Sequence, residues 1–147
     1  MSPPGVARAR EEIAAAALLR DHGFTAQAVS RSFDAAHHAA ETALFVLGET
    51  RSEHSDVISA VVRRLVRERA LDPQAGRLLR SLFNRSALAD RCYDPVPPAE
   101  AAAAVADATC VVNLVAEWID DLDRSGLRGL GRNATQLPAR PARRRHG

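Results

Sequence analysis

Arg85 is the side chain whose setting most constrains the chemistry. In the segment after Asp72-Pro73, residues Leu78, Leu82, Arg85 and Ala89 fall on one helical face, so an arginine interrupts an apolar stripe. A guanidinium buried without a counter-charge is costly, so it must meet an acid, a ligand or a cleft. The structural alternatives are an ion pair with Asp90 or Asp94, or a head that snorkels to water. A second set lies upstream, where Arg31, Asp34, His38 and Glu41 recur at steps of three, four and three. That spacing makes a polar row on one helix face, either a surface run of ion pairs or one wall of a cleft. His38 stands two turns above Arg31, whereas His37 sits nearer the apolar side and is expected as a packed, hydrogen-bonded core histidine. His54 is either a solvated loop residue or part of the same cleft.

These residues need helices to hold them, and the spacing supplies five. The central one runs from Thr25, expected as its cap, to about Glu49. Its apolar stripe is Val29, Phe33, Ala36, Ala40, Leu44 and Leu47. Before it, Val6 to His22 reads as a first amphipathic helix that stops at Gly23. A third starts at Ser55 or Asp56 and buries Val57, Ile58, Val61, Val62 and Leu65, with a basic outer face that includes Arg63, Arg64 and Arg67. Asp72-Pro73 opens a fourth, with Ala75, Leu78, Leu79, Leu82 and Phe83 turned inward, which runs to about Asp90. After DPVPP, Pro98 starts a fifth whose stripe is Val111, Leu114, Val115, Trp118, Ile119 and Leu122. The class is all-α, a four- to five-helix up-and-down antiparallel bundle over residues 1–124.

Charge is unevenly spread. All 20 basic residues are arginine; residues 1–124 hold 14 of them against 18 acids, a net −4, and residues 125–147 hold 6 and no acid. The Arg/Gly/Pro-rich stretch 125–147 has almost no periodicity and is expected to be a disordered basic tail. No apolar run approaches the roughly 18 residues of a membrane span, and MSPPGVARAREE turns acidic too early for a secretory signal, so the expected compartment is the cytoplasm. Cys92 and Cys110 fit no metal or redox spacing and are expected as thiols, at least one of them buried. No His, Cys, Asp and Glu cluster suggests a metal, and no cofactor is expected.

Four segments together resemble the small prokaryotic HEPN proteins (higher eukaryotes and prokaryotes nucleotide-binding). AVSRSFDAAHHAAETAL resembles that family's SRxYYAxFHAA helix, and EHSDVI, centred on His54, resembles its xHxGVI start of the third helix. RSALADRCYD, from Arg85 to Asp94, resembles the RxxADYD end of the fourth helix; PPAEAAAAVADA resembles the SxEEAxxxLxxA start of the last. The resemblance covers about residues 10–122 and leaves the tail outside. It implies a homodimer with a polar cleft at the interface, RNA as ligand or substrate, and pairing with a nucleotidyltransferase antitoxin. Several such proteins are metal-independent ribonucleases whose motif is an arginine followed four to six residues later by histidine. In that chemistry a base takes the ribose 2′-hydroxyl proton while arginine holds the phosphate.

This chain departs from the motif at its second member. With four residues between them, the residue that follows Arg85 at the motif's interval is Asp90, not histidine, and an aspartate of ordinary pKa near 4 is a weak base at neutrality. Arginine and histidine do recur at a similar spacing on the central helix, as Arg31 and His38. Tyr93, the only tyrosine, follows Asp90 at a shifted spacing and resembles the tyrosine nucleotidylated by antitoxins in related toxins. The candidate catalytic residues are therefore Arg85, Asp90 and His38, and the candidate binding residues Arg31, Asp34, His54 and Tyr93. The alternative is a non-catalytic module that binds a nucleotide or a partner protein. As for the tail, removing residues 125–147 should leave the melting temperature within a few degrees by calorimetry; a larger fall would mean the segment is docked on the bundle.

Overall fold

Helices account for nearly all of the chain that the computed structural model describes, namely residues 3–50 and 54–126, the side chains of His54 and Ser55 excepted. No strand occurs among the described residues. The first helix, α1, is Pro4–Asp21, with proline at its first position, where a missing N–H costs nothing. Gly23, at φ +84°, turns the chain into α2, Thr25–Val46. Thr25 does not cap α2 as expected. Phe24 takes the cap position without a side-chain bond, and the backbone closes the corner instead: Phe24 N donates to Leu19 O (2.8 Å) and Ala28 N to Phe24 O (2.9 Å).

The third helix, α3, is His54–Ala60 and continues as a π-helical segment, Val61–Arg67. The wider i→i+5 winding keeps residues four apart near one face, so Val57, Val61 and Leu65 all reach the core. The segment ends at Ala70, which has a left-handed φ of 64°, and Leu71 N donates back to Leu65 O at 2.9 Å. Asp72 then accepts from Gln74 N (2.9 Å) and starts α4, Pro73–Arg91, as its sequence signal predicts. The last helix, α5, is Pro98–Ser125 and closes on Gly126 at φ +79°.

The bundle is built around α2, which packs on α1, α4 and α5; α5 in turn packs on α1 and α4. Neighbours run antiparallel: Gly5 lies against Thr42 near one end of the α1–α2 pair, and Ser30 near the start of α2 meets Asp90 near the end of α4. Leu44, Ile58, Leu65, Leu79, Leu82 and Ile119 are fully buried, each worth roughly 1.5–3 kcal/mol relative to exposure. Buried alanines on α2 (Ala36, Ala39, Ala40, Ala43) and α5 (Ala101, Ala104, Ala108) let the backbones come close. Trp118 packs its ring inward and donates Nε1–H to the Arg69 carbonyl at 2.8 Å, tying α5 to the end of the π-helical segment.

By length and composition α5 is apolar enough to cross a membrane, although acids such as Asp107 and Glu117 interrupt its apolar residues, and eleven of its residues are buried against the other helices. One sequence expectation needs correction. Neither thiol is fully buried: Cys92 is exposed at the end of α4 and Cys110 half-buried on α5.

The contact of Gly5 with Thr42 yields a test. A Cβ added to Gly5 would lie 1.9 Å from Thr42 Oγ1, inside any van der Waals limit, and threonine is stiff about χ1. Gly5→Ala should therefore destabilise the fold by about 1–3 kcal/mol in chemical denaturation, and most of that loss should vanish in a Thr42→Ala background. Equal losses in both backgrounds would mean that the contact does not limit the packing.

Candidate functional site

Arg85 projects from the flank of α4 into the seam with α5, its side chain only 20% exposed. Its Nη2 donates to Asp107 Oδ2 at 2.8 Å, and its Nε makes a longer bond, 3.4 Å, to the Ser81 carbonyl one turn back. The counter-charge that the apolar stripe requires is thus Asp107 on α5, neither Asp90 nor Asp94. Asp90 points the other way, toward α2, and accepts from Ser30 Oγ at 2.9 Å. The physical reason is helical phase: five residues from Arg85 is well past one turn, so Asp90 leaves the α5 seam. A charge-assisted bond to one nitrogen fixes the guanidinium plane. Among the described residues, Nη1 has no hydrogen-bond partner.

The polar row on α2 also finds its main counter-charge on another helix. Glu12 of α1 has a side chain 5% exposed, and three bases gather on it: Arg8 Nε at 3.5 Å, Arg31 Nη1 at 3.4 Å and His38 Nδ1 at 3.0 Å. Along α2 itself, Glu41 of the row lies beside the neighbouring histidine, with His37 Nδ1 3.4 Å from Glu41 Oε1. His37 is buried against the Phe33 ring, centroids 5.4 Å apart, as a core histidine should be. Glu12 was legible in principle. It lies on the stripe Val6, Ala9, Glu12 and Ala16, where a carboxylate interrupts apolar positions just as Arg85 does on α4. Asp107 gave no such signal, because its half-exposed flank of α5 is an ordinary place for an acid.

Two openings lie beside these groups. At the end of the bundle where α1 stops, α2 begins and α4 ends, a cleft of about 730 Å³ is lined by Phe24, Ser30, Arg31, Asp34, Asp90 and Tyr93, among others. Four of the residues singled out from sequence, Arg31, Asp34, Asp90 and Tyr93, therefore share one surface, and Tyr93 is almost wholly exposed on it. His38 lines a different cavity, about 530 Å³, with Arg8, Glu41, Thr42 and Phe45 between the start of α1 and the end of α2. Arg85, at the α4–α5 seam, lines neither of these two. Within one chain, Arg85, Asp90 and His38 each face a different neighbour and form no common constellation. His54 begins α3, but its side chain lies outside the described residues.

Elsewhere on the surface, Arg64 of the π-helical segment bonds both Glu49 and Glu68. Burial alone would lower its pKa; the two carboxylates outweigh it and hold the guanidinium above its usual value. That arginine is locked into the fold, which leaves Arg63 and Arg67 as the exposed part of the basic face.

What the geometry offers chemically is an anchored arginine with spare donors, a histidine backed by a buried carboxylate, and a polar cleft with an exposed tyrosine. Comparison with known proteins adds a family to this arrangement. Among curated proteins, none matches the chain. The family model for the HEPN domain matches residues 6–118, from the first turn of α1 to the last third of α5. With more than three-quarters of its length inside that match, the chain belongs to the HEPN domain family, helical modules often involved in RNA binding or cleavage.

Proposed function

We propose that this HEPN domain is a toxin-like, metal-independent endoribonuclease that acts on RNA in a cleft between two copies of the chain. It works in the cytoplasm and pairs with a nucleotidyltransferase antitoxin for which Tyr93, exposed at the rim of the larger cleft, is the target. The observation that carries the proposal is the anchoring of Arg85 by Asp107, 2.8 Å away, with donors to spare. Such a guanidinium is oriented before substrate arrives and can hold a phosphate oxygen as charge builds on it.

The base is His38. It stands on the α1 side of α2, whereas Arg85 stands in the α4–α5 seam, so the two act together across the dimer, one from each subunit. Asp90, held by Ser30, and Asp34, Arg31 and Tyr93 line the approach for neighbouring nucleotides. A second reading has specific support. Arg85 and His38 each already contact a carboxylate of their own chain, an arrangement equally suited to a non-catalytic module that binds a nucleotide or a partner protein.

Incubation of the purified protein with total RNA in EDTA separates the two. Wild type should cleave, and Arg85→Ala and His38→Ala should each lose roughly 100-fold or more. Mixing the two inactive variants should restore activity, because a mixed dimer rebuilds one complete site. Light scattering should give the mass of a dimer. No cleavage by wild type would leave the binding module, and a monomer, or no rescue on mixing, would remove the shared cleft.

A further inference from the structure

The setting of Glu12 goes beyond packing. Of the three bases around it, His38 is the nearest, with Nδ1 3.0 Å from Oε2, while Arg31 and Arg8 stand at 3.4 and 3.5 Å. The His38 Nδ1 atom is shut off from solvent, yet 37% of the side chain is exposed, and the ring lines the cavity of about 530 Å³. Nδ1 therefore lies on the side of the buried carboxylate, and the exposed part of the ring lies on the cavity side. Nδ1 and Oε2 are within ion-pair distance but not aligned for a hydrogen bond, as catalytic pairs in unliganded sites commonly are. The other charged and titratable groups near this pair are His37 and Glu41 on α2, the latter also on the cavity wall.

We infer that Glu12 is the positioning residue for His38: it holds the ring by Nδ1–H and so presents Nε2 as the proton acceptor toward RNA. A carboxylate can only accept, so a neutral imidazole that bonds it must carry its proton on Nδ1. The two arginines balance the charge of Glu12, so the carboxylate stays buried when the imidazole is neutral and steadies it when it becomes cationic. The role rests on the ribonuclease proposal. In that reaction the ribose 2′-oxygen passes its proton to His38 Nε2 as it forms a bond to phosphorus. The bond from phosphorus to the 5′-oxygen breaks, the leaving oxygen takes a proton from water, and a 2′,3′-cyclic phosphate remains. The cavity beside the ring gives the ribose access, with Phe45, 68% exposed on its wall, available to a base.

The test is long-range proton–nitrogen NMR on the full ¹⁵N-labelled chain, followed by RNA-cleavage kinetics. In wild type, neutral His38 should show the Nδ1–H tautomer. In Glu12→Leu, which offers no acceptor, that preference should be lost, and kcat for RNA cleavage should fall about 10- to 100-fold with KM little changed. A wild-type His38 that carries its proton on Nε2 overturns the inference, and this spectrum needs no variant to fold. So does a folded Glu12→Leu protein whose tautomer or kcat is unaltered. An Nδ1–H tautomer in a wild-type protein that cleaves no RNA would instead locate the failure in the ribonuclease proposal, and the catalytic role would fall with it.

Discussion

A charge set on an apolar stripe must meet its opposite on the next helix, and this bundle depends on doing so twice. Glu12 on α1 is met by Arg31 and His38 of α2 and by Arg8 one turn away; Arg85 on α4 is met by Asp107 of α5. Partly buried pairs of this kind add little net stability over apolar residues of similar size, while loss of one member strands the charge of the other. Their effect is on orientation. Each fixes the rotation of two helices about their axes and leaves a basic side chain pointed in a set direction. The helices themselves are held by apolar packing around α2 and by small residues that permit close contact.

That division explains what the chain disclosed before its structure was known. Apolar spacing is local, so the five helices, the start of α4 at Asp72-Pro73 and the core residues Val29, Phe33, Leu79, Leu82 and Ile119 were all readable. Cross-helix partners are not local. Arg85 reads as needing an acid, and the sequence offers Asp90 and Asp94 nearby, but the acid is Asp107, 22 residues away on another helix. The polar row on α2 fits either a surface run of ion pairs or a cleft wall, and its spacing does not point to its main counter-charge, Glu12, which sits 26 positions before His38. The π-helical turn was invisible for a different reason, since Val57, Val61 and Leu65 fit a helical face in either winding.

Within a HEPN domain, these facts shape the functional account. The chain lacks a histidine at the usual interval after its arginine, and the residue found there, Asp90, faces α2. Its arginine and its carboxylate-backed histidine lie on different flanks of the bundle, which is why the proposal joins them across a dimer. Under that proposal, the larger cleft at the end of the bundle, with Arg31, Asp34, Asp90 and Tyr93, would give RNA a polar path alongside. A protein that only bound its ligand could share every one of these features except a histidine oriented for proton transfer.

The claim beneath all of this is that Arg85 is held in place by Asp107 rather than resting in solvent. A double-mutant cycle of Arg85→Met and Asp107→Asn, read by chemical denaturation, measures that directly. A coupling of about 0.5–3 kcal/mol is expected, with each single change costing more than its share of the double. Additive losses, with no coupling beyond error, would contradict it.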